Sequence, residues 1–213
     1  GRNIVENLTR LGNKVSFMTV FSTDYFGQVA KQSLVDMGVT LTNSIDQEGY
    51  ANSIYLGILD QDNDLYLGLN DMEITKALDP DYFKKHINYI NSFDVVVIDN
   101  NLSEESITYL LPHITSTKVM DAVSAHKLPK IAMLLHHIDY LKVNKLEHYE
   151  LVKRYETVEE MDIPNSLSLL VTNGPNRIKY LAPDKPFNTM PIACQTIVNA
   201  SGAGDGFISG FVH

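Results

Sequence analysis

The chain contains one cysteine, Cys194, in 213 residues. No intrachain disulfide framework can therefore form, which suits a reducing, cytoplasmic setting. Cys194 itself reads as a small buried hydrophobe. No apolar run reaches the length of a membrane span, and the start carries no signal-peptide pattern. Positive charge is also in short supply: 17 Lys and Arg against 26 Asp and Glu leave a net charge of −9. A nucleic-acid backbone or an anionic membrane is thereby a poor main partner. A small anionic ligand is not excluded, because backbone dipoles bind phosphate in an acidic protein too. Internal repeats, low-complexity segments and linkers are missing as well. What remains, 44% apolar and 20% charged residues, is an ordinary globular composition. The length suffices for one large α/β domain or two small ones.

Helix and strand patterns alternate along the chain. Ile4, Leu8 and Leu11 recur at helical spacing within Asn3 to Leu11, and Gly12 follows as the stop. Lys14 to Val20 reads as a buried strand. A helix from about Asp24 to Met37 would place Phe26, Val29, Ala30, Leu34 and Met37 on one face, with Gly38 ending it. Residues 39–70 depart from this rhythm. Asn52 to Leu59 alternates, 60–64 is a turn, and Leu65 to Leu69 returns, giving a β-hairpin suited to a lid or a dimer surface. Helices are then expected from Asp79-Pro80 to Ile90, from Ser103 to His113, over Leu128 to Leu135 and from Lys145 to Arg154. Strands are expected at Phe93–Ile98, Lys118–Asp121, Asp139–Val143, Leu167–Thr172, Arg177–Leu181 and Thr189–Val198. This alternation predicts an α/β fold, a doubly wound and mainly parallel sheet flanked by helices, as a single domain over 1–213 with the β lid at 39–70. Both ends are expected to be cut from a longer protein.

Open α/β sheets bind ligands beyond the carboxyl ends of their strands. Polar residues recur there: Asp24, Asp99 to Asn101, Asp121, Asn144 and Thr172 to Gly174. The stretch Asn199 to Phe207 is the richest. Gly202 and Gly204 let the backbone turn sharply and approach a ligand closely. A helix starting there points free N–H groups and its positive dipole end at an anion. Asp205 falls in the first turn, where a carboxylate is favoured. Backbone donors beside a base describe a phosphoryl-transfer site; the alternative is a glycine-rich loop capped by an aspartate.

Several motifs occur together in order. They are Gly1-Arg2-Asn3 with Asn7 and Leu11-Gly12, Asp24-Tyr25-Phe26-Gly27, Gly38-Val39, Lys142-Val143-Asn144-Lys145-Leu146-Glu147, Val171-Thr172-Asn173-Gly174-Pro175 and Gly202-Ala203-Gly204-Asp205. In this order and spacing, over nearly the whole chain, they resemble the ribokinase-like (PfkB) sugar and nucleoside kinases. Arg2-Asn3, Asn70-Asp71-Met72, the segment Asp121 to Lys127 and Asn199 are most similar to the pseudouridine-kinase branch.

The resemblance implies ATP-dependent phosphorylation of a nucleoside 5′-hydroxyl, with Mg²⁺ and room for a monovalent cation. It gives Asp205 the part of catalytic base, with Gly202, Ala203 and Gly204 as backbone donors. Asn144 takes phosphate contacts and Glu147 contacts to magnesium-bound water; Thr172 and Gly174 take the nucleotide phosphates. Asn3, Asp24 and Gly27 line the acceptor pocket, and Asp71 and Lys127 mark the branch's substrate preference. Each has a structural alternative. Asp24 suits an N-cap, Asn144 with Glu147 a helix cap plus surface acid, Thr172 and Gly174 a strand exit, and Asp71 and Lys127 plain surface exposure. The family's first strand and its adenine-binding elements are expected outside this sequence. Other sugar kinases, for ribose or a keto-deoxy sugar acid, and a silent sugar-binding protein are the alternative readings. The expected partners are a small-molecule substrate, a second copy through the β lid, and neither nucleic acid nor membrane.

Three other signals are set aside. Asp60, Asp62 and Asp64 alternate as in a calcium loop, but Leu65 occupies the position that needs glycine. His136-His137 lacks partners at zinc spacing. The acidic stretch Glu156 to Asp162 reads as a solvated face or loop.

Overall fold

A computed structural model of the chain describes residues 1–61, 65–156, 164, 166–174, 176, 178–182, 188–190 and 202–213. In chain order the elements are α1 (Arg2–Arg10), β1 (Val20–Ser22), α2 (Tyr25–Asp36), β2 (Ile45–Gln47), β3 (Ile54–Leu59) and β4 (Leu65–Asp71). After a 3₁₀ turn at Glu73–Ala77 come α3 (Pro80–Ile90), β5 (Val95–Asp99), α4 (Glu104–His113) and β6 (Thr117–Asp121). A 3₁₀ segment, Ala125–His137, leads to β7 (Tyr140–Asn144), α5 (Lys145–Glu156), β8 (Ser168–Thr172), β9 (Ile178–Leu181), β10 (Asn188–Met190) and α6 (Ala203–Val212).

The chain divides into two compact units. One comprises Arg2–Tyr82 with Ser201–Phe211 and His213; the other comprises Phe83–Ala200 with Gly1 and Val212. The second unit holds a six-stranded sheet in the order β10-β9-β8-β7-β6-β5. Strands β5 to β8 run parallel, and β9 and β10 are antiparallel. Parallel strands are covered on both faces and tolerate few polar residues in mid-strand. Leu141, Val143, Leu169, Leu170 and Val171 are accordingly buried, as are Leu128, Ile131, Leu135 and Leu151 on the covering segments. The parallel sheet and its helices form an α/β fold.

In the first unit Val5, Phe21, Leu34 and Val39 form a core, with Val15, Phe17, Ala30, Met37 and Leu41 packed on it. The regular ladder lies at Val20–Ser22 rather than Lys14–Val20. Upstream, pairing is reduced to a bridge between Ser16 and Thr40, because the partner segment turns at Thr42 and Asn43. Phe26 and Val29 are also not on the packed face of α2: they are 67% and 49% exposed. Gly27 and Leu34 point inward instead, and Phe26 and Val29 sit one position off that stripe.

The hairpin is an antiparallel two-stranded sheet with Leu56 opposite Leu69 and Ile58 opposite Leu67. Ile54, Leu56, Ile58, Leu67 and Leu69 share one face and are all exposed. In the second unit the Leu128 to Leu135 helix is 3₁₀ throughout. Pro129 lies inside it and has no N–H for an α-helical bond.

Candidate functional site

The glycine turn is set by backbone conformation. Gly202 has φ +79° and caps α6, and its carbonyl accepts the Gly206 N–H at 2.9 Å. An L residue in that left-handed region is strained. Gly202, as the N-cap residue, offers α6 no side-chain cap of its own. Asp205 sits in that first turn. Asn3, from α1, donates its amide Nδ2 to Asp205 Oδ2 at 2.9 Å. Ser209 Oγ donates to the carbonyls of Asp205 (2.7 Å) and Ile4 (3.3 Å). The carboxylate is thus oriented by a residue 202 positions away, and α6 is fastened to α1 one turn below.

Asp24 is the N-cap of α2. Its Oδ1 accepts from Ser22 Oγ at 2.6 Å and from the Gly27 N–H at 2.8 Å. These two donors, the Ser22 hydroxyl foremost, hold its carboxyl below the usual range. Gly27 has its own steric reason: a Cβ there would stand 2.1 Å from the Ser22 carbonyl oxygen. A carboxyl whose pKa falls on folding adds stability above its unfolded pKa of 3.8 and loses it as pH falls through the lower folded value. The stability difference between the parent and Asp24→Asn should therefore be constant near neutrality and shrink below pH 3.8. Thermal melts of both proteins across an acid series read this out; a difference unchanged down to the lowest pH would show that the carboxylate charge is idle.

In the other unit the carboxyl ends of the parallel strands carry Asp121, Asn144 and Thr172. Asn144 and Glu147 form a reciprocal capping box. Asn144 Oδ1 accepts the Glu147 N–H at 2.8 Å, and Glu147 Oε2 accepts the Asn144 N–H at 2.7 Å. The cap is real, but the surface acid is not: Glu147 is 1% exposed. Burial raises its pKa, with the Asp121 charge adding to the rise while the Asn144 N–H and Lys142 oppose it. Thr172 lies opposite Asn144 in the β7–β8 register, and its Oγ1 donates to the Val143 carbonyl at 3.4 Å. Gly174 follows with φ +53°.

Two polar groupings here were placed at strand ends or in motifs by the sequence without a role for each residue. Asp121 and Lys142 are a buried ion pair, Oδ1 to Nζ 3.2 Å; their signal was two opposite charges at the ends of neighbouring predicted strands. Asn100, fully buried, donates Nδ2 to the Lys127 and Ala122 carbonyls at 2.8 and 3.4 Å. Lys130 donates to the carbonyls of Asn100 and Leu102 at 2.8 and 2.7 Å, and Lys127 to Asn101 Oδ1. Lys127 is therefore half-buried and engaged, not a surface lysine. Asp71 is exposed and accepts the Glu73 N–H at 3.1 Å.

Among the described residues, no group of three or more His, Cys, Asp or Glu could hold a metal ion. Mg²⁺ does not need one: it keeps several waters and takes one or two carboxylates plus substrate phosphates. Glu147 and Asp121 are of that chemistry. Residues 62–64, the acidic stretch beyond 156, Cys194 and Asn199 lie outside the described residues.

Comparison with known proteins bears on these two constellations. The pfkB carbohydrate kinase family model matches residues 1–213. A pseudouridine kinase from Escherichia coli (strain K12) is 29% identical over 220 residues, taking in 99% of this chain and 70% of that protein. Among solved structures, ribokinase from Thermotoga maritima superposes with a TM-score of 0.83 at 16% identity, over 100% of this chain and 71% of that one. An adenosine kinase from Schistosoma mansoni, in complex with 2-fluoroadenosine, does so with a TM-score of 0.82 at 12% identity, over 99% and 72%. The structures establish the shared fold, and the end-to-end family match goes further: the chain belongs to the pfkB family of carbohydrate kinases, phosphotransferases with an alcohol group as acceptor.

Proposed function

We propose that the chain transfers the γ-phosphoryl group of ATP to the 5′-hydroxyl of a nucleoside, and that this nucleoside is pseudouridine. The observation that carries the chemistry is the Asn3–Asp205 hydrogen bond at the start of α6. It aims a carboxylate at the place where helix N–H groups can meet developing negative charge. Asp205 accepts the hydroxyl proton as the oxygen attacks the γ-phosphorus, and the bond to the β-phosphate oxygen breaks. The amides of Gly202, Ala203 and Gly204 donate to the transferring group.

Asn144, Thr172 and Gly174 take the nucleotide phosphates, and Glu147 holds the magnesium side. Bound Mg²⁺ would supply charge neutralisation at the phosphates. Asn3, Asp24 and Gly27 take the acceptor's hydroxyl side, where amide and carboxylate groups pair well with ribose. The acceptor assignment is supported by the similarity to a pseudouridine kinase over 99% of the chain and by the segment Asp121 to Lys127. The open apolar face of the β3–β4 hairpin supports its reading as a lid that excludes water, and as a surface for a second copy.

A panel of nucleosides and sugars with ATP and Mg²⁺ tests the assignment. Pseudouridine should be turned over with the highest kcat/KM. Preference for ribose or a keto-deoxy sugar acid would move the acceptor to another sugar. Binding without turnover of any acceptor would leave a sugar-binding protein. Sedimentation of the same preparation reads self-association through the hairpin.

A further inference from the structure

Ser22, the last residue of β1, is polar yet only 2% exposed. Three of its groups are engaged within the first unit. Its Oγ donates to Asp24 Oδ1 at 2.6 Å. Its carbonyl oxygen fills the space beside Gly27, 2.1 Å from a Cβ built there. Its N–H donates to the side-chain Oδ1 of Asn52 at 3.3 Å, a bond between residues 30 positions apart. Asn52 stands just before β3, the first strand of the hairpin. The neighbouring Thr23 N–H goes instead to the Gln47 carbonyl at the end of β2, at 3.3 Å. Successive N–H groups of a strand point to opposite edges, so Ser22 turns its N–H to the other edge of β1, where Asn52 meets it.

A side-chain amide that accepts a backbone N–H is often no more than a loop tie. The series of bonds sets this one apart. It runs from Asn52 to the Ser22 backbone and from the Ser22 hydroxyl to Asp24 Oδ1, which the Gly27 N–H also reaches at 2.8 Å. Both bonds on the Asp24 carboxylate thus fall on one oxygen, while Asp24 itself is exposed at the start of α2. Ser22 first, then Gly27 and the Asn52 backbone amide, hold that carboxyl below its usual range. The other end of the series lies at the foot of the β3–β4 hairpin, whose apolar face is open.

We infer that Asn52 is a positioning residue for the acceptor: by holding the Ser22 backbone it fixes the hydroxyl that orients the Asp24 carboxylate, so that the foot of the hairpin and the acceptor-binding carboxylate are tied to each other. Without the Asn52 oxygen the Ser22 N–H loses its acceptor, and Asp24 is oriented from a less fixed point. The inference rests on the proposed acceptor role of Asp24.

The test uses the full-length protein. KM values for ATP and for pseudouridine, or for whichever acceptor the substrate panel ranks first, are measured beside the melting temperature. The Asp24 carboxyl is titrated by carbon-13 NMR in the ligand-free protein. Asn52→Ala should raise the acceptor KM by about 3–10-fold, the worth of one hydrogen bond, without a matching rise in the KM for ATP. The Asp24 titration should move up towards the ordinary carboxyl range. Ser22→Ala should raise the acceptor KM at least as much, and adding Asn52→Ala to it should change the value less than twofold, because the two residues act in series. Asn52→Asp keeps the accepting oxygen and loses only the amide N–H groups. It should retain most of the acceptor affinity, and it carries the test if the Ala variant does not fold.

An acceptor KM within twofold of the parent in folded Asn52→Ala overturns the proposal, and so does an Asp24 titration that coincides with the parent's. Multiplying effects in the double variant overturn it too, since they would make Asn52 an independent structural tie. A loss in Asn52→Asp as large as in Asn52→Ala would make the amide a direct ligand contact instead. Asp24→Asn separates the two levels. If it raises the acceptor KM while Asn52→Ala does not, only the positioning role falls; if it has no effect, the acceptor role of Asp24 falls and this inference with it.

Discussion

Asp205→Asn should lower kcat by about 10²–10⁴-fold, the range for loss of a positioned general base, while the KM values and melting temperature stay near those of the parent. The substitution keeps the shape of the side chain and an oxygen able to accept from Asn3 Nδ2, now 2.9 Å from Asp205 Oδ2. What it removes is the carboxylate proposed to take the hydroxyl proton. In free energy the loss is about 2.7–5.5 kcal/mol of transition-state stabilisation. A structural role would give the opposite pattern. Were Asp205 only the acidic residue of a helix start, losing its charge would cost about 0.3–1 kcal/mol of stability and leave kcat alone. Paired steady-state kinetics and thermal melts of the two proteins decide, and a kcat within threefold of the parent (about 0.6 kcal/mol) would remove Asp205 from the chemistry.

Gly27→Ala should be among the most destabilising single-methyl additions in the chain. The new Cβ would meet the Ser22 carbonyl oxygen at 2.1 Å, Ser22 Oγ at 2.4 Å and the Ser22 carbonyl carbon at 2.8 Å. Two of those atoms are backbone and cannot swing aside, so α2 must move away from β1. Overpacking of this kind costs about 3 kcal/mol, a fall of about 6–12 °C in melting temperature for a chain of this size. The same movement pulls the Gly27 N–H from Asp24, which it now meets at 2.8 Å, so the acceptor KM should rise as well. Gly12→Ala is the comparison. Gly12 has φ +91° but nothing within 4 Å of a built Cβ, so its cost is backbone strain alone, about 1–2 kcal/mol. Equal losses from the two substitutions in calorimetry would deny the close approach at Ser22.

The two predictions draw on different depths of information, and so does the rest of the molecule. Local features were legible in the sequence because their causes lie within a few residues. Glycines ending apolar helical patterns at Gly12 and Gly38 do adopt positive φ. Asp24 caps α2, and Asn144 caps the start of α5. Alternating apolar segments gave the parallel strands their positions to within a few residues, since a strand buried on both faces must be apolar throughout.

What the sequence left open depends on partners far along the chain. The phase of α2 is one case: Phe26 and Val29 share its apolar pattern, yet the contact with β1 turns Gly27 inward and leaves those two exposed. The 3₁₀ winding of Ala125–His137 is another, where apolar spacing alone does not set the hydrogen-bond period. Glu147 is the sharpest: it reads as a surface acid beside an Asn144 cap, yet it is 1% exposed, because burial is set by segments far along the chain. The sequence by itself determined the α/β alternation, the turns and the chemical types present at the strand ends. Tertiary structure alone decided the strand register that pairs Asp121 with Lys142 and the packing that lets Asn3 reach Asp205, because register and helix packing are set by groups 21 and 202 residues apart, beyond the reach of any local pattern.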